Sequence, residues 1–194
     1  MRILLSILLS LILASSAKAA GTVTFFYDAA SGYNVASIVG TTDEDTVYVW
    51  GDDIMIIINI NGTDYSQTFT NGKPLKIQAQ LFDGYNLLVY IDSSDPALHQ
   101  PKFVYEGGDN DDYVWTGKKS DSINTKGGDD TVNSFDSVDT ILVGTGDDTV
   151  YSGASPDIVI DGGGTHDYLD QGGGTTGDTR YGLWETIVNP SVVY

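Results

Sequence analysis

GGDNDDYVW at residues 107–115, TKGGDDTVN at 125–133 and VGTGDDTVY at 143–151 are three copies of one nine-residue unit. Degenerate copies lie between and after them. An aspartate therefore recurs every nine positions, as Asp112, Asp121, Asp130, Asp139, Asp148 and Asp157, with Asp167 one residue late. Two positions after each stands an aliphatic residue: Val114, Ile123, Val132, Ile141, Val150, Val159 and Leu169. A period this short means that each unit is too small to bury an apolar face alone and must stack on its neighbours.

The unit can be rebuilt from its residues. A tight turn that needs φ > 0 takes glycine best and asparagine next, which suits Gly108, Asn110, Gly128, Gly144 and Gly146. Thr-Val-Asn and Thr-Val-Tyr follow the turns, β-branched and aromatic with only the middle residue apolar. The middle side chain is expected to point inward and its neighbours outward, so that stacked units share one thin core of Val, Ile and Leu. Strands stack ~4.8 Å apart, which brings equivalent aspartates to about that distance. Two bare carboxylates ~4 Å apart repel by about 1 kcal/mol in water and by more in a drier turn. A hard divalent cation converts that repulsion into coordination. Carboxylate and carbonyl oxygens, with no Cys or His among them, are the donor set of calcium.

On these residues the chain resembles the RTX calcium-binding β-roll family, whose repeat reads G-G-x-G-x-D-x-U-x. The resemblance implies a right-handed parallel β-solenoid in which calcium-binding turns alternate with three-residue strands. Because a β-roll coil holds two units, it also implies that odd and even repeats line opposite edges. One edge ends its turns at Asp112, Asp130, Asp148 and Asp167, keeps Gly108, Gly128 and Gly146, and adds Asp109, Asp111, Asp129 and Asp147. The other ends at Asp121, Asp139 and Asp157, carries Lys118 and Lys119, lacks glycine in its middle copy and has Pro156 in its last. All these acids and the three glycines are candidate calcium-site residues. The expectation is a single file of ions along the first edge, with the second-edge aspartates accepting hydrogen bonds from turn amides.

The amino terminus departs from that family, whose members usually carry an uncleaved carboxy-terminal export signal. MRILLSILLSLILASSAKA has Arg2, an apolar run from Ile3 to Ala14, and the small pair Ala17 and Ala19. Residues 1–19 read as a cleaved secretory signal, too short to span a membrane. Its removal takes away Arg2 and Lys18, and the charge of the chain goes from -18 to -20. So acidic a chain argues against nucleic acid as a partner. There is no cysteine for a disulfide frame, which leaves bound metal as the obvious stabiliser of an exported chain.

Residues 20–106 read as a β-rich cap or as degenerate coils of the same solenoid. Asp45 precedes Val47, and Asn86 precedes Leu88, in the spacing of the repeats. DIMIIININGTDYSQTF has the alternation and the Asn61-Gly62 turn of a hairpin, which also explains Asn61-Gly62-Thr63 better than a glycosylation signal does. KPLKIQAQLF looks like the next strand, and the loop DSSDPALHQPK, with Pro96 and Pro101, marks the boundary before the array at 107–170. Residues 171–194 are expected to form the carboxy-terminal cap, with Trp184, Ile187 and Val188 over the last coil; the tail is also expected to cover an apolar patch at Leu142, Ile158 and Ile160, with a partner protein as the alternative cover. His99 reads as a plain loop residue and His166 as an exposed turn residue beside Asp167.

Three classes of function follow. The first is a secreted, non-catalytic calcium-binding module that serves adhesion, surface coating or matrix binding, with a cell-surface or matrix polysaccharide or protein as partner. An acidic, glycine-rich chain of this kind stays unfolded until it meets external calcium. The second is a polysaccharide-active β-helix enzyme of the lyase or epimerase kind. Such chemistry needs a basic group, whereas Lys118, Lys119, Lys126 and Arg180 form no constellation, and no H-E-x-x-H or G-x-S-x-G is present. The third is ice binding, which needs an outward Thr or Asn ladder; the third repeat positions read Asp109, Lys118, Gly127, Asp136, Thr145 and Ala154. The first class is the reading adopted.

Overall fold

A computed structural model describes residues 21–91, 100–172 and 178–188. Strands β1 (Thr22–Asp28) and β2 (Tyr33–Val39) form an antiparallel pair, followed by β3 (Thr46–Gly51), β4 (Met55–Ile60) and β5 (Thr63–Thr68) as an antiparallel meander. Next come β6 (Leu75–Gln80), β7 (Asn86–Ile91), β8 (Lys102–Glu106) and β9 (Asp112–Trp115). The array continues as β10 (Ser122–Asn124), β11 (Thr131–Asn133), β12 (Thr140–Thr145), β13 (Thr149–Tyr151), β14 (Ile158–Gly163) and β15 (Tyr168–Asp170). It closes with β16 (Thr179–Tyr181) and β17 (Thr186–Val188). The fold is all-β. Among the described residues no helix is long and apolar enough to cross a membrane.

The strands divide into two sheets. One runs β1-β2-β6-β8-β10-β12-β14-β16 and the other β17-β15-β13-β11-β9-β7-β3-β4-β5. From β6 onward the chain alternates between them, and every new strand lies parallel to the one two before it. Val132 pairs with Val114 and Val150, and Ile123 with Ile141, so one coil consumes eighteen residues, or two units. The aliphatic residue two after each aspartate is fully buried in every copy from Val114 to Leu169. The core is broader towards the amino terminus. There β3, β4 and β6 alternate buried with more exposed residues, β2 buries Asn34, Val35, Ala36 and Ile38, and Ile56, Ile58, Ile60, Ile77, Leu88, Phe103 and Tyr105 fill the space between the sheets.

The region before the array is therefore built from coils continuous with it: β2 pairs in parallel with β6, β3 with β7, and these with β8 and β9. The antiparallel strands β1, β4 and β5 supply the closure at that end. Asn61 and Gly62 turn the β4–β5 hairpin with φ of 52° and 81°, the primed geometry that suits strand twist. KPLKIQAQLF supplies β6, as its pattern predicts.

Two expectations for the carboxy-terminal tail need correction. The tail adds one more coil, with β16 pairing with β14 and β17 with β15. Residues 178–188 therefore extend the sheets edgewise; Tyr181 pairs alongside Ile160, and Ile158 stays exposed. The triplets Thr179–Tyr181 and Thr186–Val188 supply hydrogen-bond partners to the backbone groups of β14 and β15, which would otherwise be an open sheet end. Trp184 does pack against the core, as expected. The signal segment at residues 1–19, His99, Pro96 and most of the boundary loop lie outside the described residues.

Candidate metal centre

The repeat aspartates sit at the turns, where the chain crosses from one sheet to the other. On the first edge the amide of Asp112 donates to Oδ1 of Asp130, that of Asp130 to Asp148 and that of Asp148 to Asp167, at 2.7–2.9 Å. The ladder runs on in both directions. Asn86 donates to Asp112 and Asp45 to Asn86, while the amide of Asp167 donates to Glu185. On the second edge Phe103 donates to Asp121, Asp121 to Asp139, Asp139 to Asp157 and Asp157 to Asp178, at 2.7–2.9 Å. Each carboxylate thus ties its coil to the one before.

One oxygen of each carboxylate is used in this way; the other is not. Oδ2 of Asp112, Asp121, Asp130, Asp139, Asp148, Asp157, Asp167 and Asp178 is buried, and no donor is aligned on it. Hydroxyls of Tyr105, Thr116 and Ser152 nevertheless lie beside Asp112, Asp121 and Asp157 and have no other partner, whereas those of Thr125 and Ser134, beside Asp130 and Asp139, donate to the carbonyls of Val143 and Ser152 in the next coil. A buried oxygen without a donor is costly, and it favours either a proton or a cation. Burial accordingly raises the carboxyls, to about 6 for Asp112, about 7 for Asp121, Asp148 and Asp157, and about 8 for Asp130 and Asp139. Asp167 is raised for the same reason. Neighbouring carboxylates add to the shift at Asp130, Asp139 and Asp148.

The backbone closes tightly round these groups. A side chain at Gly107 would collide with the Asp112 carboxylate, and one at Gly164 with that of Asp167. Gly128 and Gly146 play another part: both have positive φ and lie against the backbone of the preceding turn, so they permit coil-to-coil stacking. Gly108 and Asn110, expected at φ > 0, do not adopt it; Gly108 is needed because it packs on the backbone of Phe82 and Asp83.

In two turns of each edge the second and fourth positions take positive φ. They are Lys126 and Gly128, and Gly144 and Gly146, on the first edge; on the second they are Phe135 and Ser137, and Gly153 and Ser155. Three of the four second-edge residues are not glycine, yet the turn is kept. The edges therefore present the same carboxylate arrangement, and the expected contrast between metal-binding and amide-accepting aspartates is not visible in it. Aspartates of both edges accept amides and keep a spare oxygen.

The additional acids of the first edge are placed differently. Asp109, Asp111, Asp129 and Asp147 are exposed, outside the turn interior. Asp111 accepts the amide of Asp129, Asp129 that of Asp147, and Asp147 those of Thr165 and His166. This outer ladder runs in the opposite direction to the buried one. His166 bonds Asp147 at 3.0 Å and is exposed, away from the buried carboxylates. Two further buried acids escape the nine-residue register: Asp178, which joins the second-edge ladder after an irregular stretch of sequence, and Asp161, which stands outside the aspartate position. Comparisons with family models, with curated proteins and with solved structures give no match.

Proposed function

We propose that this chain is a secreted, non-catalytic calcium-binding protein, a right-handed β-roll whose folding is coupled to calcium. The observation that carries the reading is the pair of ladders of buried aspartates, each with one oxygen committed to the neighbouring coil and a second buried oxygen, which at Asp148 and Asp167 has no hydroxyl beside it. Bound calcium would supply positive charge to those oxygens and link successive coils. An all-oxygen donor set in closely stacked turns fits a hard cation of that size. Asp112, Asp130, Asp148 and Asp167 would hold ions on one edge, and Asp121, Asp139, Asp157 and Asp178 on the other, with backbone carbonyls completing the shell.

Aromatic side chains suit this module to a surface or matrix role. Tyr113 and Trp115 on β9, and Tyr151 and Tyr168 on β13 and β15, form ring pairs with centroids 5.6 and 5.8 Å apart on the outer side of the second sheet. Such rings stack on sugars as well as on protein. Far-ultraviolet circular dichroism of residues 20–194 during a calcium titration, with magnesium as control, tests the reading. A cooperative coil-to-β transition with calcium is expected. A β spectrum indifferent to calcium and chelator would overturn it.

A further inference from the structure

Asp161 falls outside the aspartate register. It lies in β14, where a register shift pairs it with Gly144 of the preceding coil. Its carboxylate meets those of Asp148 and Asp167: one oxygen from each of the three buried residues lies within 4.8 Å of the others. Asp148 and Asp167 each bring a fully buried Oδ2 that accepts no hydrogen bond. Asp161 accepts amides from Gly163 and, in the last described coil, from Leu183. A side chain at Gly182 would strike Asp161, as one at Gly164 would strike Asp167, so the backbone closes directly on the cluster. Basic groups at this end of the molecule are engaged elsewhere: His166 with Asp147, and Arg180 with Gln171.

We propose that Asp148, Asp161 and Asp167 form a discrete calcium site, stronger than the repeat-register sites, that fastens the coil of residues 178–188. The proposal shares with the reading above the premise that these turns take up calcium, but it does not need the periodic array. Three carboxylates from two successive turns and the intervening strand place more negative charge on one ion than a pair of repeat aspartates does, and ligand charge sets calcium affinity. Through the Leu183 amide, Asp161 passes the constraint to the tail.

Calorimetric titration of the full chain with calcium chloride, beside Asp161→Asn and a control at the exposed second-edge acid, Asp136→Asn, tests it. Wild type and Asp136→Asn are expected to show one step about tenfold tighter than any other, and Asp161→Asn to lose it. Amide hydrogen exchange of the wild type supplies a second readout, with Leu183 slowed by the first equivalent of calcium. Should Asp161→Asn fail to fold, that readout decides alone. Unchanged titration in Asp161→Asn, or no protection at Leu183, would overturn the site while leaving the array intact. A single bound ion, lost in Asp161→Asn, would keep the site and overturn the array; no binding by any form would overturn both.

Discussion

Asp130 shows what a single ladder carboxylate costs. Its Oδ1 receives the Asp112 amide, while its Oδ2 is buried without a donor, and burial holds its pKa near 8. Asp130→Asn keeps a carbonyl oxygen for the amide and removes the charge. In chelator at alkaline pH the variant is expected to be more stable than wild type by about 1 kcal/mol, since an unpaired charge no longer has to be buried. In calcium at about a hundred times its Kd the variant is expected to be less stable, by up to about 2–3 kcal/mol, because one ion's linkage is lost. Urea midpoints in the two buffers check this, and equal shifts in both would refute a metal role for Asp130. Phe135, Ser137 and Ser155 take φ of 63°, 100° and 146° in turns that lack the expected glycines, because stacking on neighbouring turns outweighs a local preference of about 1–2 kcal/mol per residue.

At the scale of the element, the strand triplets are interchangeable only in pairs. Coils repeat every eighteen residues, and each turn is fitted to the turn one coil earlier: a side chain at Gly144 would occupy the Lys126 carbonyl, and one at Gly153 that of Phe135. Deleting residues 125–142 joins Asn124 to Val143 and keeps every later strand in its sheet. Deleting 125–133 moves each later strand to the opposite sheet and stacks first-edge turns on second-edge turns. The eighteen-residue deletion is expected to fold and to melt a few degrees below wild type, having lost one coil interface, whereas the nine-residue deletion is expected to melt far lower or not to fold. Thermal melts of both in calcium check the expectation, and equal melting points would refute the two-unit coil. The nine-residue period was legible in the sequence. The continuity of the coils through residues 33–106 was legible only at Asp45 and Asn86, because the hairpin of β4 and β5 and unequal loops hide the spacing.

For the whole molecule the carboxyl shifts combine into a dependence on pH. Asp112, Asp121, Asp130, Asp139, Asp148 and Asp157 all have folded values above the ordinary carboxylate value of 3.8, at about 6 to 8. Between pH 4 and 8 the folded chain then binds more protons than the unfolded chain, and stability falls as pH rises through that window. In chelator the urea midpoint is expected to be highest near pH 4 and to decline to pH 8. Calcium takes the deprotonated form, so the stabilisation it provides is expected to grow over the same range, with protons released on binding at neutral pH. A calcium-free midpoint that rises from pH 4 to 8 would contradict the buried-carboxylate account. A chain of charge -18 adds to the decline, since self-repulsion opposes compaction as its acids ionise.

The amino-acid sequence by itself determined the all-β class, the inward aliphatic of each unit and the aspartate at each turn, because these follow from a local period and from which residues suit pleated strands and tight turns. Only the tertiary structure decided which oxygens are spent. The bonds from Asp112 to Asp130 and from Asp121 to Asp139 join residues eighteen apart, and whether Asp129 faces solvent while Asp130 is buried depends on how one coil lies against the next. The meeting of Asp161 with Asp148 and Asp167 has the same origin. Distance along the chain does not predict it, since the two turns that bring these carboxylates together touch only after the coils have stacked.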